Sequence, residues 1–342
     1  PAGCFSYEPR TLAVVPPPPL DSVAEDLVCL DGAERGITRA RERFVAVGEV
    51  LPIVRVGALA LSADAVDGCA AIAGTLLPAT TCTTLTVTLP MDALEPGVYE
   101  VTVTNPDPAG CVSTEPVTLV VAPAPTVVDV APDLVCTAEG GAVVTVTGTD
   151  FLVVDGILPT VRVGETAVVA QDASGCEPVE GTLRDVDRCT TLTVLIPEGD
   201  PLPGAWVVSV ENPEPAGCRS VQDVTLAVVP PPAVTAVVPP VVCATAQVPT
   251  VAIDEVPVTV LDVDQCVDVA GTGLAAQACG RITVEMPAGG LALGAHDVAV
   301  INPDPAPCGT VAEAGFAVAP APTVTGVEPF KVCVNDGHFT VA

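Results

Sequence analysis

The spacing of the cysteines constrains this chain more than any other feature. There are 14, and they fall into four classes. The first is Cys29, Cys136, Cys243 and Cys333; the second is Cys69, Cys176 and Cys266. The third is Cys82, Cys189 and Cys279; the fourth is Cys4, Cys111, Cys218 and Cys308. Cys29 to Cys136 and Cys136 to Cys243 both span 107 residues, as do Cys4 to Cys111 and Cys111 to Cys218. The second-to-third gap is 13, the third-to-fourth 29 and the fourth-to-next-first 25, in every copy. An even number of cysteines at fixed spacing reads as a disulfide framework. Zinc sites favour close CxxC pairs and histidine. The chain has no CxxC, and its only histidines are His296 and His338. Disulfides imply an oxidising compartment, which places the chain outside the cell or at a bacterial cell surface.

A longer motif travels with the fourth cysteine. It reads GVYEVTVTNPDPAGC at Gly97, GAWVVSVENPEPAGC at Gly204 and GAHDVAVINPDPAPC at Gly294. An alternating strand runs into a stiff Asn-Pro turn and stops at cysteine. Pro1 to Cys4 repeats its last letters, so the sequence opens inside a copy and reads as a mature or partial product. Pro-rich joints at Pro16, Pro123, Pro230 and Pro320 set the expected boundaries. Residues 1–15 are the last strand of one repeat, 16–122 repeat 1 and 123–229 repeat 2. Residues 230–319 form a shortened repeat 3, and 320–342 the first strands of a further repeat. Short Pro-rich joints are stiff, so the repeats are expected to line up as a rod.

A period near 100 residues with many short strands suggests tandem β-sandwiches. Repeat 2 is the clearest: TVVDVAPD, EGGAVVTVTGTDF (Glu139 to Phe151), PTVRVGETA and VSVENPEPAG. With these motifs the repeat resembles the IPT/TIG immunoglobulin-like family. The match is weaker in repeat 1, where the Gly-Gly-strand-Gly-Phe signature is absent, and four cysteines per repeat depart from the usual pattern. The resemblance implies an all-β chain of antiparallel immunoglobulin-like sandwiches acting as spacers or binding modules, with no catalytic residues. It also implies that the second and third cysteines flank one loop, pairing Cys69 with Cys82, Cys176 with Cys189 and Cys266 with Cys279. Cys4, Cys29, Cys111, Cys136, Cys218, Cys243, Cys308 and Cys333 are left for bonds between domains or subunits. In the family topology the first and fourth cysteines of one domain lie too far apart to bond. Two arrangements stay open. The fourth cysteine meets the first of an adjacent domain, as Cys218 with Cys29, or it meets the next first cysteine along the chain, as Cys111 with Cys136. The second option would also join Cys4 to Cys29 and Cys308 to Cys333.

Repeat 3 is short. Cys218 to Cys308 is 90 residues, 17 fewer than the period, and the loss lies between Cys243 and Cys266. PTV at Pro249 aligns with PTV at Pro159, so the missing piece is the second strand. A sandwich without it exposes an edge that recruits a strand or aggregates. GHFTVA, Gly337 to Ala342, is a strand of that type, which makes His338, Phe339 and Val341 candidate subunit contacts by strand donation; the alternative is a slice of a longer repeat protein whose third domain closes with fewer strands.

Composition narrows the function classes. The net charge is -30, with 42 acidic and 12 basic residues, which opposes nucleic acid and anionic membranes. No apolar run is long enough to span a membrane. Aromatics are only 3%, so cores must be built from small residues and stapled in another way. Lys331 is the only lysine, which excludes a Lys–Asn cross-link in each repeat. No phosphate loop, GxSxG elbow or HExxH is present, and no enzyme is expected. His296 stands where Tyr99 and Trp206 stand, a packing position. No cofactor is expected beyond Ca2+ at acidic pairs such as Asp185 with Asp187 and Asp262 with Asp264. Arg39, Arg41 and Arg43 alternate in ITRARERFVAV and would share one strand face, with Phe44 and Ala40 opposite. They are candidates to meet the acidic face of another subunit. The expected function is an extracellular structural protein whose partners are copies of itself, forming a fibre, filament or stalk. The alternative is an adhesin or carbohydrate-associated module, which would favour an exposed aromatic platform; Trp206 is the only Trp.

Overall fold

Val, Thr and Ile at alternate positions, broken every few residues by Pro and Gly, give strands and turns throughout. The computed structural model describes residues 13–20, 24–30, 34–137, 140–221, 224–238, 241–243, 252–253, 256–284, 291–311, 315–321, 323, 325, 327–328 and 340–341. Cys4, Cys333, His338 and Phe339 lie outside them, and for Arg39, Arg41, Cys243 and Val341 only the backbone is described. Every regular element among the described residues is a strand. They fall into two compact units, Pro1–Ala131 with Val143–Ile196 and Trp206–Thr225, and Pro132–Ala142 with Pro197–Ala205 and Leu226–Ala342.

In the first unit, residues 16–122 form a two-sheet sandwich. One sheet runs Leu27–Val28, Val117–Val121, Gly97–Thr104, Ile53–Val56, Leu59–Ser62. The other runs Arg35–Val47, Ala79–Leu89, Ala65–Asp67. Alternation decides which side chains meet. Val54, Val56, Val101 and Val103 face Ile37, Leu85 and Val87 in one core, none more than 1% exposed. Phe44 is its one fully buried aromatic. Residues 16–19 of this repeat are four prolines outside any strand, since proline has no N–H to give a ladder.

The strands of repeat 2 in the same unit repeat the plan. One sheet runs Thr126–Ala131, Ala142–Val154, Val186–Ile196, Asp172–Ser174. The hairpin Thr160–Val163 with Thr166–Val169 turns at Gly164, whose φ is +62°. A Cβ there would lie 2.6 Å from the Trp206 ring, so Trp206 packs flat on a glycine that no other residue replaces. The second strand continues to Val154, past a kink at Asp150 with φ +61° that turns Phe151 into the core.

In the second unit, Val241–Cys243, Phe316–Ala319 and Gly294–His296 form one sheet, and Val256–Pro257, Ala252–Ile253, Val298–Ile301 and Gly309–Val311 another. Ile253, Val258, Val298, Phe316 and Val318 make a small core. Val260–Asp268 and Gln277–Val284 stand apart as a two-stranded sheet.

Candidate functional site: the junctions between repeats

Cys29 follows, and Cys136 and Cys243 end, a short strand that lies parallel to the last strand of the same repeat. Leu27 and Val28 pair with Val120 and Val121. Cys136 pairs with Val229, and Cys243 with Ala319. The strand places its cysteine at the boundary to the next repeat. There Cys29 and Cys136 each bond a fourth-class cysteine. Cys29 is bonded to Cys218 across 189 residues, with Cα atoms 5.8 Å apart. Cys136 is bonded to Cys308 across 172 residues, with Cα atoms 5.9 Å apart. Of the two arrangements that sequence left open, the bond along the chain does not form. The 25-residue gap suggested Cys111 with Cys136, but Cys136 is taken by Cys308, and Cys29 by Cys218 rather than Cys4. The gap is constant because the end of one repeat and the start of the next are built alike. Cys69–Cys82, Cys176–Cys189 and Cys266–Cys279 close local loops, with Cα atoms 4.0, 3.9 and 4.0 Å apart. Cys111 carries a free thiol.

The junction at Cys29 lies within the first unit. Leu27, Val120 and Ala122 meet Leu152, Val154, Val186 and Ala216 in a dry cluster. Beside it Asp26 is 2% exposed. A buried carboxylate is tolerated only when its oxygens are satisfied. The backbone N–H of Leu183 donates to Asp26 Oδ2, and Arg184 Nε donates to Oδ1 at 3.2 Å. Arg184 also reaches Asp155 at 3.0 Å and the Ala24 carbonyl at 3.3 Å. On the other side, Arg35 Nη2 donates to the Gly217 carbonyl at 2.8 Å.

The junction at Cys136, within the second unit, uses the same parts. Leu134, Cys136, Ala227, Ala306 and Cys308 form the dry cluster. Asp133 holds the place of Asp26, each followed by Leu-Val-Cys. Its Oδ2 accepts from the Gly273 N–H at 2.6 Å and the Thr272 hydroxyl at 2.8 Å. Gly271-Thr272-Gly273 aligns with Gly181-Thr182-Leu183. Each junction is therefore one disulfide, one small apolar cluster and one aspartate latched to a Gly-Thr loop. The sequence offered the disulfide as one of two arrangements and left the latch unseen. The signal was present: DLVC occurs at both positions, and a Gly-Thr step stands between each second and third cysteine.

The motif asparagine supplies a different clamp. Asn212 Oδ1 accepts from the Leu152 N–H at 2.9 Å, and its Nδ2 donates to the Asp150 carbonyl at 2.9 Å. Asn105 does the same to Val45 at 3.0 Å and Arg43 at 3.5 Å. Both asparagines are buried and grip the kink of the second strand. The equivalent Asn302 is half-buried, and among the described residues no such strand meets its side chain. Gln277–Val284 likewise pairs only with Val260–Asp268 among them. Leu192 and Val194 are fully buried, whereas the equivalent Ile282 and Val284 are half-exposed.

Other candidate residues are placed as follows. Arg39, Arg41 and Arg43 do not follow a simple alternation. The strand Arg35–Val47 loses register between Ala40 and Phe44, and Arg43 has φ +96°. This is the Asn105-clamped kink, which turns Phe44 inward as Asp150 turns Phe151. Thr340 and Val341 pair with Glu328 and Val327, in the register that Thr145 and Val146 have with Ala131 and Val130. Val341 thus belongs to the start of its own repeat. His296 is 6% exposed, stacks near Phe316 at 5.6 Å and bonds the Ala292 carbonyl at 2.8 Å. Tyr99 bonds Glu95 four residues back in the same way. Asp264 lies 3.8 Å from Arg281, and the Asp185 N–H donates to Asp155. Among the described residues no three His, Cys, Asp or Glu side chains gather as a metal site.

No family model matches the chain, and no curated protein matches it. Among solved structures it is similar to the extracellular region of plexin A4, at 13% identity over 89% of this chain and 34% of that one, TM-score 0.27. The chain therefore spans about a third of the plexin chain it matches. It is also similar to a Ca2+-stabilized adhesin from an Antarctic bacterium, at 12% identity over 92% of this chain and 76% of that one, TM-score 0.20. A tetra-tandem repeat from the extending region of a large adhesion protein gives 11% identity, 87% and 72% coverage, TM-score 0.19. At these identities and TM-scores the likeness carries no argument of its own; among the described residues the chain is all-β, in several antiparallel sheets.

Proposed function

We propose that this chain is an extracellular structural protein whose repeats are latched end to end and whose copies join into a fibre, filament or stalk. The observation that carries the reading is the repeated junction. Two boundaries use the same disulfide, the same aspartate latch and the same apolar cluster. A binding module needs one exposed site, whereas this chain spends its cysteines on continuity between domains. The five disulfides among the described residues fit an oxidising, extracellular setting. The small-residue cores explain why covalent staples are needed. The excess of acid keeps such a surface soluble before assembly. Copies of the chain are the proposed partners, and residues 320–342, with His338, Phe339 and Val341, are the proposed contact segment. Negative-stain microscopy of the purified, oxidised chain tests the reading. Fibres many repeats long are expected; short isolated particles at every concentration would overturn it.

A further inference from the structure

We propose that Cys266–Cys279 is a thiol-exchange site that releases the Asp133 latch, and that a small thiol such as glutathione opens it ahead of its counterparts in repeats 1 and 2. The proposal rests on the reading of that boundary as a latched junction and adds its regulation.

The latch loop hangs from this bond. Residues 269–276 lie between the two cysteines. Within that stretch the Gly273 N–H and the Thr272 hydroxyl donate to Asp133 Oδ2, at 2.6 and 2.8 Å. The Val269 N–H donates to the Ala276 carbonyl at 2.9 Å, and both side chains pack against the apolar cluster of the junction. Cys266 and Cys279 stand directly opposite each other in the ladder of Val260–Asp268 with Gln277–Val284, so the disulfide clamps the base of the loop. Among the described residues, Gln277–Val284 pairs with no other strand. Its polar contacts across the hairpin include Gln277 Nε2 to Asp268 Oδ1 at 2.8 Å and Arg281 Nη1 to Asp264 Oδ2 at 3.8 Å, all on exposed side chains. Exposed pairs of this kind contribute little.

The counterparts are held differently. Ala79–Leu89 and Val186–Ile196 each pair with a long strand on the other side, Arg35–Val47 and Ala142–Val154. There Cys69 and Cys176 are exposed, but their partners Cys82 and Cys189 are only 1 and 0% exposed. In repeat 3 that burial is lost: Cys279 is exposed and Cys266 half-buried. Thiol–disulfide exchange needs an accessible sulfur to attack and a thiolate that leaves readily. Attack on Cys69 or Cys176 expels a thiolate into the sandwich interior, where its charge is poorly solvated. Attack on Cys279 expels Cys266 at a hairpin open to water.

The exchange has two steps. A small thiolate attacks Cys279 Sγ, the disulfide breaks, and Cys266 leaves as a thiolate that takes a proton from solvent. A second small thiolate attacks the small-molecule sulfur of the mixed disulfide and releases Cys279. One protein disulfide is reduced and two small thiols are oxidised to their own disulfide. The junction bridge is shielded, since Cys136 and Cys308 are 7 and 2% exposed. The boundary is therefore loosened while the repeats stay covalently joined.

The test treats the full oxidised chain with graded reduced glutathione, quenches by alkylation and quantifies each cysteine by peptide mass spectrometry. Cys266 and Cys279 should be labelled about tenfold or more faster than Cys82 and Cys189, with Cys136 and Cys308 still bonded. Amide hydrogen exchange of that partly reduced form should show Gly273 and Val269 losing protection about tenfold or more, with Leu183 unchanged. Cys266→Ser/Cys279→Ser should show the same loosening without thiol and no further response to it. Equal or reversed labelling order would overturn the proposal, and so would an opened Cys266–Cys279 that leaves Gly273 protected. The labelling order is read on the unaltered chain, so it decides even where the variant does not fold. Both readouts are taken on the unassembled chain, so their failure strikes this site alone and not the fibre reading.

Discussion

Asp26→Ala removes a buried carboxylate that joins two repeats, and its cost can be worked from the contacts. A hydrogen bond to a charged acceptor contributes about 1.5–3 kcal/mol. The ion pair to Arg184, whose side chain is 36% exposed, adds at most about 1 kcal/mol after solvent screening. The loss is therefore about 2–4 kcal/mol, or roughly 30- to 700-fold in the equilibrium for opening the loop. The Cys29–Cys218 bond stays, so the repeats cannot separate, and the effect appears as loosening at the boundary. Amide hydrogen exchange of the full chain reads it at two places. Leu183 N–H should exchange near the unprotected rate in the variant. Val179 N–H, which bonds Val186 O at 2.8 Å inside the loop, should lose protection by the same factor. Asp133→Ala should act on Gly273 and Val269 and leave Leu183 alone. A latch that orders nothing would give an unchanged Val179, and that result would refute the reasoning.

The Cys29→Ser/Cys218→Ser pair removes a 189-residue closure, worth about 5 kcal/mol in the chain-entropy model, against about 3 kcal/mol for the 13-residue closure at Cys69–Cys82. Denaturant melts should show the larger loss for the long closure; equal losses would count against an entropic account. Asn105→Ala should destabilise repeat 1 by about 2–4 kcal/mol because two buried partners are stranded, whereas Asn302→Ala should cost under about 1 kcal/mol. Similar losses in both would mean that a strand does meet Asn302. Glu211 is held below the ordinary carboxylate value of 4.5, first by its hydrogen bond from Arg162 and then by that from Arg219. Its contribution is present above pH 4.5 and is lost as pH falls through the lowered value. Glu211→Gln should flatten that acid limb in pH-dependent melts; an unchanged limb would mean the pair adds nothing.

Much of the fold was legible because strand, turn and cysteine signals are local and repeat. The alternation in TVRV and LTVLI reports buried faces directly, and the 17-residue deficit of repeat 3 can be placed between Cys243 and Cys266. The kinks at Arg43 and Asp150 were not legible as such. A left-handed residue inside a strand leaves no period-2 signal, so ITRARERF read as a plain alternating strand. The junction was legible in half. Cysteine spacing proposed Cys29 with Cys218 beside an alternative that fitted the spacing equally well. Choosing between them needs the parallel placement of Leu27–Val28, which only the fold supplies. Asp26 and the Gly181 loop lie 155 residues apart, and neither is unusual by itself.

The two long disulfides interleave: Cys136 lies between Cys29 and Cys218, and Cys218 between Cys136 and Cys308. Their loops overlap, so the covalent graph from Cys29 to Cys308 has no single point of failure. One proteolytic nick anywhere in that span leaves the chain in one piece. Under tension the load has two routes, across the first bridge and down the later backbone, or down the earlier backbone and across the second. The shorter route carries the 90 residues from Cys218 to Cys308 out of the 279 between Cys29 and Cys308, so the chain resists stretching even where a domain has lost its fold.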